Sequence, residues 1–277
     1  MEPNIDEVMS EDLFILKSWD EQIIVFNNNL QTIRHRPAKK SVHDIRVAVK
    51  KIRSYLKLRQ EFLGENWNEQ FSNMKILFQT LGRQRDIEMS LSLLAKYQRK
   101  ETVLLVHFKK FLQMNCRLTR KWSRQAAANF KDEQLQVLSS VMYESLTALS
   151  EEQVINKIRE MTIAILKKVR KLSSNFKKNI HAIRKLLKDL YYWLKACPEN
   201  PVSDLFQIKL LEKILGDLGS WQDYFIFLNK LKDFRKKLSV KGTNEFEMIK
   251  SCEEKTKKSQ NELLYKIKIR GAVLFLK

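Results

Sequence analysis

The sequence predicts an all-α fold. It holds only 6 Gly and 4 Pro among 277 residues, under a third of the roughly 12 per cent that average usage supplies. A β-rich chain of this size would need many turns, which consume both residue types. Apolar residues also recur at helical spacing almost throughout. Collagen-like, sandwich and barrel folds are therefore excluded. With 44% hydrophobic and 10% aromatic residues, the chain can bury a substantial core as one large domain or two halves. Disorder does not fit this composition.

The elements follow in order. Residues 5–34 place Leu13, Leu16, Ile23, Phe26, Leu30 and Ile33 on one helical face. Arg36-Pro37 breaks the pattern, and proline suits the start of a next helix. Ser41 to Leu63 is one amphipathic run, ended by Gly64. A helix over 67–81 stops at Gly82, which reads as a C′ residue, and another covers 85–97. A long basic helix spans 102–130, followed by helices over 132–149 and 152–176. Further helices cover 179–196, 204–218, 223–238 and 244–268. Pro198 and Pro201 punctuate one linker and Gly242 another.

No apolar run approaches the ~18–20 residues that a membrane span needs. The acidic N-terminus, Met1 to Glu7, lacks the apolar stretch of a secretory signal. Cys116, Cys197 and Cys252 are odd in number and far apart, as expected of buried or idle thiols in a reducing cytoplasm. His35, His43, His107 and His181 form no HxxxH or HExxH pair, and no CxxC is present. No metal site and no cofactor are expected. The net charge is +20, from 52 Lys and Arg against 32 Asp and Glu. Such a balance concentrates anions: nucleic acid, acidic lipid head groups or a phosphate polymer. A lysine-rich solubility surface gives the same balance, so position must decide.

An internal repeat supplies position. Val42-His43-Asp44-Ile45-Arg46-Val47-Ala48-Val49-Lys50 aligns with Ile180-His181-Ala182-Ile183-Arg184-Lys185-Leu186-Leu187-Lys188, and Leu56-Lys57 with Leu194-Lys195. Leu81-Gly82-Arg83-Gln84-Arg85-Asp86 aligns with Leu218-Gly219-Ser220-Trp221-Gln222-Asp223. The chain therefore reads as two similar helical halves, 1–130 and 132–277, within a single domain.

On a helical wheel, His43, Arg46, Lys50, Arg53 and Lys57 share an arc of about 80°. Ile45, Val49, Ile52 and Leu56 form a separate apolar arc. In the second copy His181, Arg184, Lys188 and Lys195 share the basic arc, with Tyr191 at the place of Arg53, and Ile183, Leu187, Leu190 and Leu194 fill the apolar one. Lys39 and Lys177 extend each stripe by a turn if the helices start early enough. Stacked like charges repel, so folding alone gives no reason for a stripe without acidic partners. A solvated face would explain one such stripe; two at the same phase favour a ligand. Cations at about 5–6 Å spacing match a linear polyanion. Arginine gives bidentate contacts to phosphoryl oxygens, lysine a point charge and histidine a further donor.

The duplicated His-x-x-Arg-x-x-x-Lys with a later Leu-Gly-x-x-Arg/Gln-Asp resembles the CHAD domain family over nearly the whole chain. His43, Arg46, Lys50, Arg53, Leu81-Gly82 and Arg85-Asp86 carry the resemblance in the first half. His181, Arg184, Lys188, Leu218-Gly219 and Asp223 carry it in the second. The resemblance implies two pseudo-symmetric helical bundles around a basic central groove or pore. It also implies binding of inorganic polyphosphate, often on polyphosphate granules. Tyr191 and Gln222 depart from it, which implies weaker binding in the second half. Gly82 and Gly219 read as helix ends, with Asp86 and Asp223 in the first turn of the next helix.

An enzyme is not expected. Glu245-Phe246-Glu247-Met248-Ile249-Lys250 approaches the Glu-x-Glu-x-Lys of CYTH triphosphatases. Its lysine is one residue late, and no β-rich segment exists to build their tunnel. No Gly-rich phosphate loop, nucleophile elbow or paired-carboxylate signature is present either. A nucleic-acid binder is permitted by charge but lacks a helix-turn-helix, zinc-finger or RNP signature. Trp122, Trp193 and Trp221 fall where helix packing accounts for them. Arg117, Arg120, Lys121 and Arg124 read as a solvated face. A helical scaffold for an acidic partner is the remaining alternative.

Overall fold

A computed structural model describes residues 13–101, 105–238 and 244–275. The first helix's start over 5–12, the segment 102–104 and the Gly242 linker lie outside the described residues. Among the described residues the chain is all-α, without strands. Its helices are α1 (Phe14–His35), α2 (Lys39–Leu63), α3 (Ser72–Glu101), α4 (Val106–Ala128) and α5 (Glu133–Leu146). They continue as α6 (Glu151–Ser173), α7 (Phe176–Ala196), α8 (Ile208–Lys237) and α9 (Asn244–Phe275).

Local chemistry explains several ends. Gly64 closes α2 in the left-handed conformation at φ 71°, which glycine adopts without a Cβ penalty. Ser150 and Gln153 form a reciprocal capping box at the start of α6. Pro198 follows the extended Cys197 that ends α7. The carboxylate of Glu245 caps another helix. Its Oε1 accepts the His107 and Phe108 backbone N–H groups at 3.1 and 3.3 Å, satisfying the open start of α4.

Two predicted breaks are absent. The predicted helices over 67–81 and 85–97 are one continuous α3 that starts only at Ser72, and those over 204–218 and 223–238 are one α8 that starts only at Ile208, with turns over 68–71 and 204–205 instead of helix. Gly82 and Gly219 sit inside helices, and Gly64 is the one glycine with positive φ among the described residues. A helix-interior glycine costs roughly 1 kcal/mol relative to alanine, and helix termination does not account for either one.

The helix order repeats. The starts of α1 and α6, α2 and α7, α3 and α8, and α4 and α9 lie 136 to 138 residues apart, with α5 between the two sets. The halves do not close separately, because each hydrophobic cluster draws on both. One joins α1, α2, α5, α6 and α7 with the first parts of α3 and α8 and the last parts of α4 and α9. The other joins Ile87 and Leu94 of α3 and Phe108 of α4 to Phe227 and Leu231 of α8 and Ile249 of α9. The apolar arcs of the two repeated helices face inward as predicted: Ile45, Val49, Ile52 and Leu56, and Ile183, Leu187, Leu190 and Leu194, are all 2% exposed or less. The thiols of Cys116, Cys197 and Cys252 are free and buried. No described helix is long and apolar enough to cross a membrane.

Candidate anion-binding groove

Burying the apolar arcs of α2 and α7 leaves their polar arcs facing a groove of about 560 Å³. From α2 come His43, Arg46, Lys50 and Arg53; from α7 come His181, Arg184, Lys185 and Lys188. The middle of α3 adds Phe78, Arg85 and Asp86, and the middle of α8 adds Gly216, Gly219, Ser220, Gln222 and Asp223. Eight of the twelve predicted binding residues thus share one groove.

The other four lie elsewhere. Lys57 pairs with Asp189, a carboxylate only 5% exposed on α7. That ion pair ties α2 to α7 and takes Lys57 out of the stripe. Lys195 is solvent-exposed outside the groove lining. Lys39 donates to Ser92 Oγ at 3.1 Å and lines a separate depression with Arg36, Arg120, Lys121 and Arg124. Lys177 belongs to a neighbouring cavity on the α8–α9 side. A helical wheel gives azimuth, not how far along the axis a groove extends.

Gly82 has a packing reason within α3. A Cβ there would stand 2.7 Å from Arg46 Nη1, closer than real Cβ contacts. The bare glycine admits the Arg46 guanidinium, which donates to the Phe78 carbonyl at 2.6 Å and lies 4.2 Å from the Phe78 ring centroid. Cation–π contact and hydrogen bond together hold the cation in place. Nothing lies within 4 Å of a Cβ built on Gly219. Gly219→Ala is therefore expected to raise stability by about 0.5–1 kcal/mol through helix propensity. Gly82→Ala is expected to forfeit that gain and to weaken anion binding several-fold by displacing Arg46. Thermal melts and titrations on the two variants check this; equal gains with unchanged binding would refute the packing role.

Asp86 and Asp223 sit mid-helix in the groove wall, not in first turns as predicted. Burial pushes both carboxyls above their ordinary range, against Arg46 and Lys230 at Asp86 and against Arg85, Arg184 and Lys50 at Asp223. They offset part of the cationic charge. Burial acts on the cations too. It lowers the Lys50 ammonium to about 6, with Lys188, Arg46, Arg184 and Arg53 adding repulsion. Lys188 falls to about 8, through burial and then Arg184, Arg46 and Arg53. Arg46 falls to about 10, chiefly by burial. His43 is lowered by burial and by Arg85, Lys50 and Lys188, against Asp44. His181 is lowered by burial, Arg184 and Lys185, with a Gln222 hydrogen bond opposing.

Among the described residues two buried guanidinium Nε atoms, those of Arg53 and Arg184, have no hydrogen-bond acceptor. A buried donor without a partner costs about 1–3 kcal/mol. Tyr191, at the place of Arg53, donates to Glu212 at 3.3 Å outside the groove. The second half therefore supplies one cation fewer there. Trp193 and Trp221 are buried, but Trp122 is 47% exposed, so packing does not account for it. Arg120 is not free either, since it bonds the buried Glu88 at 3.1 Å. No three described His, Cys, Asp or Glu side chains group closely enough to hold a metal ion.

A helical protein whose repeated helices turn their cationic faces into one groove is the class that fold and site define. The CHAD domain profile matches residues 18–232, over three quarters of the chain, and the chain belongs to the CHAD domain family. Its fold is shared with the crystal structure of the CHAD domain from the plant Ricinus communis. That similarity has a TM-score of 0.75 at 16% identity, covering 94% of this chain and 90% of that one. No curated protein matches the chain.

Proposed function

We propose that the chain binds inorganic polyphosphate in the α2–α7 groove and does not transform it. The observation that carries this reading is the convergence of both halves' cationic side chains on one groove. A linear polyanion suits that lining: successive phosphoryl groups engage cations on both walls while neighbouring oxygens stay in solvent. A cytoplasmic location, on polyphosphate granules where they form, accords with this reading.

Calorimetric titration with long-chain polyphosphate, with RNA and orthophosphate as competitors, tests it. Polyphosphate is expected to displace RNA, and orthophosphate to compete poorly because it bridges few cations. Affinity should fall steeply with salt as counterions are released. If RNA displaces polyphosphate instead, the groove is a nucleic-acid site. Salt-independent binding would remove the electrostatic basis altogether.

The same titration repeated over pH gives a second expectation. A bound polyanion raises the pKa of Lys50, Lys188, His43 and His181. The complex therefore holds more protons than the free protein, and affinity should rise as pH falls from about 9 towards about 6. The free protein behaves oppositely. Lys50 at about 6 and Lys188 at about 8 bind fewer protons folded than unfolded, where the ordinary value is 10.5. Their contribution makes stability rise with pH over about 6 to 10. Binding enthalpies that do not change with buffer ionisation enthalpy near neutral pH would contradict this proton uptake.

A further inference from the structure

A second cavity adjoins the groove at α7. His181 forms part of the groove wall and also part of the wall of this cavity, of about 440 Å³ between α7, α8 and α9. That volume lies within the roughly 300–1,000 Å³ of small-molecule sites. The chemistry changes at His181. On the groove side the walls are cationic; on the far side the floor is aromatic. Trp221 and Phe225 stack with centroids 5.6 Å apart and planes 13° from parallel. His181 meets both edge-on, at 5.5 Å to Trp221 and 5.4 Å to Phe225. Trp221 is 7% exposed, whereas Phe225 keeps 37% of its surface open. Lys177, Lys232 and Lys257 stand around this floor, while Arg235 is held by Glu253 at 2.8 Å.

An unbranched inorganic polyphosphate uses none of this aromatic surface. A ligand that does use it has a chain of phosphates and, joined to one end, a flat ring. We infer that the cavity beyond His181 receives the base of a nucleoside polyphosphate whose phosphate chain lies in the α2–α7 groove. The base stacks on the open part of Phe225, backed by Trp221. His181 stands where the sugar meets the first phosphate. Lys177, one helical turn before His181 on α7, lines the same cavity and so gains the anion-binding role that the groove itself does not give it. Stacking tolerates any base, since every base has a π-face.

This inference rests on the groove being a phosphate site, and the test separates the two. Affinities of ATP and of inorganic tripolyphosphate are measured by calorimetry in EDTA, on the parent and on Phe225→Leu, which keeps apolar bulk but removes the ring. ATP is expected to bind about ten-fold more tightly or better, as one base-on-ring stack supplies. Phe225→Leu should lose most of that advantage and leave tripolyphosphate binding unchanged. Equal affinities, or an advantage that survives in Phe225→Leu, overturn the base site. Failure of both ligands to bind, with long-chain polyphosphate still bound, overturns it too and leaves the groove reading intact. Binding of ATP alone, with tripolyphosphate and long-chain polyphosphate both inert, removes the groove reading and with it the placement of the phosphate chain proposed here.

Discussion

Arg46→Ala combined with Arg184→Ala is expected to weaken polyphosphate binding by about 10²- to 10⁴-fold. Each arginine supplies charge-assisted hydrogen bonds worth roughly 1.5–3 kcal/mol, and the two stand on opposite walls of one groove. Stability should change little, for opposing reasons. The variant loses the contact of Arg46 with Phe78 and leaves space above Gly82. It also removes two charges that repel Lys50 and Lys188 and one buried Nε without an acceptor. The Lys50 ammonium should titrate closer to its ordinary value in the variant. Calorimetric melts and polyphosphate titrations decide the matter. An early melt would make the arginines structural, and parent-like affinity would remove them from the binding site.

The basic stripe is legible in the sequence because azimuth on a helix is a local property. Once Ile45, Val49, Ile52 and Leu56 are committed to the core, His43, Arg46, Lys50 and Arg53 must share the other side. The repeat then places His181, Arg184 and Lys188 at the same phase. Lys57 defeats the wheel because its neighbour, Asp189, comes from 132 residues away. Lys195 defeats it because the groove closes before the last turn of α7. Both are questions of where one helix ends against another.

Gly82 and Gly219 mislead for a different reason. Locally, glycine favours a helix end, and nothing in the flanking residues says otherwise. Only the approach of Arg46 from another helix explains why α3 tolerates Gly82. The same local preference moves Asp86 and Asp223 from the groove wall to helix starts, which hides their share in the site. Phe78 carries no sequence signal at all; its ring matters because a guanidinium 32 residues away lies on it. The resemblance to the CHAD family anticipates the groove while leaving these contacts unstated.

Trp193→Ala is expected to cost roughly 3–5 kcal/mol, a large fraction of the roughly 5–15 kcal/mol that holds an ordinary domain together. Trp193 is 2% exposed on α7, and its Nε1–H donates to the Ser54 carbonyl of α2 at 2.7 Å. With the Lys57–Asp189 pair, it fastens the two repeated helices together behind the groove. A loss of this size lowers the melting temperature by roughly 2–4 °C per kcal/mol in chains somewhat shorter than this one. Trp193→Phe should cost less, since most of the buried ring area remains and mainly the N–H donor is lost. Groove affinity should stay within several-fold of the parent while the variant is folded, because α3 and α8 also pack together and hold the site. Saturating polyphosphate should return part of the lost stability, about 2.7 kcal/mol at a hundred times Kd. If Trp193→Ala melts like the parent, the joint between α2 and α7 is not what holds the halves together. If it folds but no longer binds, the groove depends on that joint alone, and the packing of α3 on α8 does not set its geometry.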